Sequence, residues 1–228
     1  MYQHLDWHGQ PIGLPLGKVV CIGQNYQDHI AEMNSKTAPQ ALFFHKPSTA
    51  LVPLQPGFAI PHGRGAVHNE TEIAVLISKP LTGAAEQDVA QAIWGYGLGL
   101  DLTLRDVQAE LKKLGRPWEL AKSFDGACPL SGFVPSGAVN EPQQLQFSLT
   151  VNGALRQQGD SRMMIRSINR MLSEMSHWFT LMPGDVVLTG TPAGVGPLQA
   201  DDQLVLTLND FFQLNTHVHS HSSLPRSE

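Results

Sequence analysis

The apolar positions of this chain fall into short runs with two different periods. Lys18-Val19-Val20-Cys21-Ile22-Gly23, Ala41-Leu42-Phe43-Phe44-His45-Lys46 and Ile73-Ala74-Val75-Leu76-Ile77 are continuous, partly β-branched stretches of strand length, and they predict buried strands. Gly95 to Thr103 reads as a further apolar strand ending at Asp101. The second half is β-rich: Leu130 to Val134, Gln146 to Val151, Val186 to Leu188 and Gln203 to Asn209, with Asn152-Gly153 as a hairpin turn. The helical period is clearest over Ser161 to Phe179, where Met164, Ile165, Ile168, Met171, Leu172 and Met175 make a stripe that reads as core. Shorter helices are predicted over Gln24–Met33, Thr82–Ile93 and Leu102–Leu114, the last ended by Gly115-Arg116-Pro117. Pro53, Pro56 and Pro61 confine their stretch to irregular or edge pieces.

These elements leave no linker and no internal repeat, so residues 17–210 read as one catalytic domain. Residues 1–16, with turn residues at Gly9, Pro11, Gly13 and Pro15, form a lead-in. Residues 211–228 read as a mobile C-terminal tail, in which His217, His219 and His221 alternate. A disordered end is preferred there over a weak metal site. Asn34 to Gln40 is polar and reads as a mobile loop, placed where a lid would sit.

Composition narrows the class. Of 228 residues, 42% are hydrophobic and only 15% charged, which favours a compact enzyme-like body over a disordered chain. A net charge of -5 gives no basic footprint for nucleic acid. No apolar run reaches the roughly 18 residues of a membrane span. Met1–Gly9 lacks an apolar signal segment, so a cytoplasmic location is expected. Cys21 and Cys128 lie in apolar surroundings and read as buried free thiols.

The chemistry gathers around His68-Asn69-Glu70-Thr71-Glu72, just ahead of the apolar strand. Side chains alternate along a strand, so Glu70 and Glu72 share a face. Two buried carboxylates side by side take up a proton or hold a cation between them; the plainer alternative is a solvated strand end. Asp101 either caps the next helix or adds a third oxygen ligand. An all-oxygen set suits Mg²⁺ or Mn²⁺, with Ca²⁺ as a substitute. His29 and Glu32 share a helix face and make a usable general-base pair, or else a routine surface pair. Lys46 reads as a contact for an acidic substrate or as a solvated cation. Lys122, between Trp118 and Phe124, either projects into a site or packs its stem on aromatics. Thr189-Gly190-Thr191-Pro192-Ala193-Gly194-Val195-Gly196 allows close backbone approach and offers hydroxyls to an anion, without matching a Walker loop or a dinucleotide fingerprint.

Five stretches then occur in order: Gly23-Gln24-Asn25-Tyr26 with His29 and Glu32; His68 to Glu72; Asp101-Leu102-Thr103-Leu104-Arg105-Asp106-Val107-Gln108; Lys122; and Thr189 to Gly196. Together they resemble the fumarylacetoacetate hydrolase family, in its short acylpyruvase-like bacterial branch, over about residues 17 to 209. The resemblance implies an α+β, β-rich fold, a mixed β-roll or sandwich of that family's C-terminal-domain type, usually as a homodimer. It implies Glu70, Glu72 and Asp101 as ligands of one divalent ion per chain, His29 and Glu32 as a catalytic dyad, and Lys122 as a catalytic group. Gln108, Arg105, Gly190, Thr191 and Tyr26 are the substrate-binding residues expected with it. Where the family often has Arg or Lys, this chain has Gln24.

The leading activity expected from the resemblance is hydrolysis of the C–C bond of small 3-acylpyruvates, with the dyad activating water. Oxaloacetate decarboxylation and keto–enol tautomerisation pass through the same pyruvate enolate and are the alternatives. A non-enzymatic carboxylate-binding module is the reading from a different class; it has no need of the His29–Glu32 pair.

Overall fold

The computed structural model describes residues 2–34 and 40–220. The strands are β1 (Val19–Gly23), β2 (Leu42–Lys46), β3 (Leu51–Pro53), β4 (Gly57–Ile60), β5 (Val67–Asn69), β6 (Thr71–Ile77), β7 (Ile93–Leu100), β8 (Thr103–Leu104), β9 (Cys128–Leu130), β10 (Val134–Pro135), β11 (Gln146–Val151), β12 (Ala154–Asp160), β13 (Val186–Leu188), β14 (Gly196–Leu198), β15 (Gln203–Leu208) and β16 (Phe212–Ser220). The helices are α1 (Gln27–Glu32), α2 (Arg105–Lys113), α3 (Glu119–Lys122) and α4 (Ile168–Ser176). The result is the expected α+β, β-rich fold. One mixed sheet runs β2-β1-β13-β6-β7-β9-β3, with β10 also paired to β7; a second runs β12-β11-β15-β16-β4; a small third runs β14-β5-β8.

The strand with the longest apolar run, β6, lies inside the large sheet between β13 and β7, and all of its residues are buried. That explains its unbroken hydrophobic sequence, since a strand covered on both faces needs no polar alternation. Its antiparallel register with β7 pairs Thr71 with Leu100 and Glu72 with Gly99. The register therefore brings Glu70 beside Asp101, and the Asp101 N–H donates to the Glu70 carbonyl at 2.8 Å. Gly99 has to be glycine for packing: a Cβ there would lie 2.8 Å from side-chain carbons of both Leu130 and Leu188.

Several local expectations hold. Gln146–Val151 is β11 as read from the sequence, and Asn152 and Gly153 both have positive φ, which fits the two-residue hairpin turn into β12. Both cysteines are free and buried. No helix among the described residues is long and apolar enough to cross a membrane.

Three local expectations are corrected. The helix expected over Ser161–Phe179 is a short 3₁₀ turn (Ser161–Met163) followed only later by α4. Between them the backbone is taken up by long-range bonds: the Ile165 N–H donates to the Asn25 carbonyl and the Arg166 N–H to Asn25 Oδ1, each at 2.8 Å. Ser167 then caps α4 by accepting from the Arg170 N–H. The stretch Thr82–Ile93 holds a 3₁₀ helix, Glu86–Ala92, in place of an α-helix. Much of the expected tail is a strand: β16 pairs antiparallel with β15 and parallel with β4. Its polar look comes from alternation, with Leu214, Thr216 and Val218 buried and the residues between them more exposed. The expected lid loop falls largely on residues 35–39, and His221 in the tail; both lie outside the described residues.

Candidate active site

Glu70, Glu72 and Asp101 form a buried cluster in which one ligand oxygen from each lies within 4.8 Å of the others. Three cations surround it. Lys122 Nζ donates to Glu70 Oε2 at 2.8 Å and to Asp101 Oδ2 at 2.6 Å. Arg105 pairs with Glu70 Oε1, and Lys46 Nζ lies 2.8 Å from Asp101 Oδ1. Lys122 comes from α3, a single turn ahead of β9, and its ammonium reaches the carboxylate that follows β7. Lys46 is fully buried at the end of β2, so it is neither solvated nor free for a substrate. It also donates to the Lys122 carbonyl and thereby fixes the turn that carries the second lysine.

The cations divide the two glutamates. Burial alone would raise the Glu70 carboxyl, but Lys122 and Arg105 together hold it well below the usual carboxylate range. Glu72 has no ion-pair partner among the described residues, and its Oε2 accepts only the Gly190 N–H, at 2.6 Å. Burial, then the charges of Asp101 and Glu70, push its carboxyl well above the ordinary value. An acid so placed takes up a proton unless a further cation arrives. With three hard oxygen donors converging there, the cluster fits a divalent ion of the Mg²⁺ or Mn²⁺ type.

The cleft above the cluster is lined by Gln24, His29, Glu70, Glu72, Asp101, Arg105, Gln108, Lys122 and Thr191, with Ile22, Ile30, Met33, Leu42, Phe44 and Trp118 as its apolar walls and Lys112 at the end of the α2 face. His29 Nδ1 stands 3.3 Å from Glu32 Oε2. The other oxygen, Glu32 Oε1, accepts the Gly194 N–H at 2.9 Å, and Asp28 Oδ2 accepts the Ala193 N–H at 3.3 Å. The dyad helix is thus tied to the glycine-rich loop after β13. Gly190 in that loop has φ +91°, and a Cβ there would come 2.7 Å from Asn25 Cβ; both facts require glycine.

A whole-chain comparison decides the relationship. The family model for the fumarylacetoacetate (FAA) hydrolase C-terminal region matches residues 18–219. The chain belongs to the fumarylacetoacetate hydrolase family. Among its relatives, a protein of Escherichia coli (strain K12) named oxaloacetate tautomerase YcgM is 52% identical over 219 residues, covering 96% of this chain and all of that one. A fumarylacetoacetate hydrolase family protein from Yersinia pestis CO92 has a crystal structure with a TM-score of 0.94 and 52% identity, over 95% of this chain and 100% of that one. The fumarylpyruvate hydrolase of Pseudomonas aeruginosa, solved with Mn²⁺ and pyruvate, superposes with a TM-score of 0.89 at 34% identity, over 95% of each chain.

This member of the fumarylacetoacetate hydrolase family is therefore an enzyme, and its acidic cluster and a Mn²⁺-bound relative support a divalent cation. The relatives named as oxaloacetate tautomerases favour that alternative over acylpyruvate cleavage. Of the residues expected at the site, the structure gathers His29, Glu32, Glu70, Glu72, Asp101, Arg105, Gln108, Lys122 and Thr191 around one cleft. Two stand elsewhere. Tyr26 is buried beneath the helix it precedes, bridged to Met164, and does not line the cleft. Gly190 spends its N–H on Glu72.

Sequence reading assigned no role to two residues that hold the site together. Gln157, buried on β12, accepts from Asn69 Nδ2 and the Thr71 N–H and donates to Thr191 Oγ1 and the Pro192 carbonyl. It ties the second sheet to both the acid strand and the glycine loop. Asn25 donates to the Thr189 carbonyl at 2.9 Å and binds the 165–166 backbone. Neither carries a local signal: a glutamine in a polar alternating strand reads as solvent-facing, and only the fold turns it inward.

Proposed function

We propose that this enzyme is an oxaloacetate tautomerase, moving a proton between C3 and the C2 oxygen of a small 2-oxo acid. The reading rests on one observation: a base–carboxylate pair, His29–Glu32, stands at a cleft whose floor is a buried triad of acids. The full-length likeness to a protein named oxaloacetate tautomerase narrows the reaction to this one.

Glu70, Glu72 and Asp101 would hold one Mg²⁺ or Mn²⁺, which supplies Lewis-acid stabilisation to charge developing on the 2-oxo oxygen. Arg105 and Gln108, joined at 2.7 Å, present guanidinium and amide donors toward a carboxylate. Thr191, with its hydroxyl donated to the Thr71 carbonyl at 2.9 Å and bonded by Gln157, forms a fixed polar wall. Glu32 orients the His29 ring, and His29 takes the C3 proton and delivers it to the C2 oxygen, or carries it from that oxygen to C3 in the other direction. Lys122, held beside Glu70 and Asp101, keeps positive charge next to the forming enolate. No water need attack, so tautomerisation asks less of the site than C–C hydrolysis. The same reading carries a homodimer, as the family resemblance implies, working in the cytoplasm.

The test is an oxaloacetate assay with Mg²⁺ or Mn²⁺, following enol–keto absorbance and CO₂ release, with acetylpyruvate in parallel. Rapid enol–keto conversion without CO₂ is the expected result. Cleavage of acetylpyruvate with slow tautomerisation would return the reading to an acylpyruvate hydrolase.

A further inference from the structure

Two walls of the cleft lead from the acid cluster to the same lysine. The first is a face of α2. Arg105, Gln108 and Lys112 are three and four residues apart, so they stack along one side of the helix, and all three line the cleft. The second wall is aromatic. Lys122 Nζ lies 5.1 Å from the Phe44 ring centroid, the Phe44 and Trp118 centroids are 5.9 Å apart, and Lys112 Nζ lies 5.9 Å from the Trp118 ring.

The cations along these walls differ in what they already hold. Lys122 is bound by Glu70 and Asp101, and Arg105 by Glu70 and Gln108. Lys112 forms no ion pair among the described residues; its recorded contact is the indole face, which steadies an ammonium without neutralising it. Seven residues of helix separate Lys112 from Arg105 by about 10 Å along the axis. Arg105 thus stands at the acid cluster, paired with Glu70, while Lys112 stands farther along the same wall.

We infer that Lys112 is a specificity-determining residue for 2-oxo dicarboxylic acids longer than oxaloacetate. The 2-oxo carboxylate end sits at the acid cluster, the chain lies against Phe44 and Trp118, and the far carboxylate pairs with Lys112. This rests on the 2-oxo acid site proposed above.

The test compares two probes by calorimetry in the Mg²⁺-loaded protein. Pyruvate carries only the inner end; 2-oxoadipate adds a far carboxylate. Lys112→Met removes the charge and keeps an unbranched stem on Trp118, and Lys112→Arg keeps the charge. Affinity for 2-oxoadipate should fall about fivefold in Lys112→Met, as for a solvent-exposed charge pair, while pyruvate binds as before. Lys112→Arg should retain most of the 2-oxoadipate affinity, and added salt should erode the advantage in wild type. Equal losses for both probes, no loss for either, or failure of 2-oxoadipate to bind wild type would each overturn the assignment. Absence of oxaloacetate tautomerisation in wild type would defeat the proposed reaction instead, and the ratio of the two affinities would still decide the role of Lys112.

Discussion

The acid cluster and the dyad helix face the same cleft but are held in different ways. Glu70, Glu72 and Asp101 stand at adjoining ends of β6 and β7, in the interior of a sheet, and every one is at most 5% exposed. Three cations and one backbone N–H fix their oxygens. The helix α1 has only six residues, has no side-chain cap, and buries Ile30 alone. Among the described residues, the loop after β13 grips its acids through two bonds, from the Ala193 and Gly194 N–H groups. Too short to be stable alone, such a helix depends on its tertiary contacts. The difference suits the proposed chemistry. Holding a cation needs a rigid, over-determined cage, whereas a proton carrier has to admit substrate and then close on it.

The largest break in this contrast comes from removing an acid at the centre. Asp101→Asn leaves Lys46 with no carboxylate partner and Lys122 with one fewer. Taking one partner from a buried ion network costs about 3–5 kcal/mol, because the remaining charges stay desolvated. The variant should lose Mg²⁺ binding by calorimetry and unfold at clearly lower denaturant. Full stability in Asp101→Asn would mean that the lysines are hydrated and the cage is looser than drawn.

A smaller and more selective break comes from the other region. His29→Ala removes a side chain that lines the cleft and pairs with Glu32 but belongs to no buried ion network, so stability should shift by about 1 kcal/mol, well below the loss in Asp101→Asn. Turnover of oxaloacetate should fall by about 10²–10⁴-fold, the usual worth of a positioned general base, while Mg²⁺ affinity is kept. Loss of metal binding in His29→Ala would merge the two regions into one and remove the distinction.

How far these regions were legible in the sequence follows the same divide. The acid strand could be read because its cause is local: an unbroken apolar run and two glutamates two residues apart determine a buried strand with both acids on one side at its head. The hairpin at Asn152-Gly153 was legible for the same reason. Features that depend on distant partners were not. The expected long helix from Ser161 is cut because Asn25, 141 positions away in sequence from Arg166, claims its backbone. Lys46 looks like a surface residue before a proline, and only Asp101, brought over by the β6–β7 register, makes it a buried counter-ion. Gln157 reaches the site only because β12 folds against the acid strand. The dyad lies between these cases: spacing predicted that His29 and Glu32 meet, but not that Glu32 also holds Gly194.

The smallest effect probes the cage from within. Glu70 and Glu72 are two residues apart on one face, yet their carboxyls are displaced in opposite directions. Glu70 is held below its unfolded value, so its contribution to stability is present above the ordinary carboxylate pKa of about 4.3 and is lost on acidification. Glu72 is raised, chiefly by burial, so in metal-free protein its contribution is present below that pKa and is lost as pH rises through its folded value. Across pH 5 to 8 the lowered values of His4, His45 and His68 make stability rise with pH while Glu72 makes it fall, so the thermal stability of metal-free wild type should climb less with pH than that of Glu72→Gln, which stays neutral and can still accept from Gly190. Mg²⁺ should remove the Glu72 contribution in wild type by favouring the ionised form. An unchanged slope in Glu72→Gln would mean that Glu72 is already paired with a cation in the metal-free protein. A divalent ion would then have to enter at the bonds of Lys122 to Glu70 and Asp101, displacing that lysine.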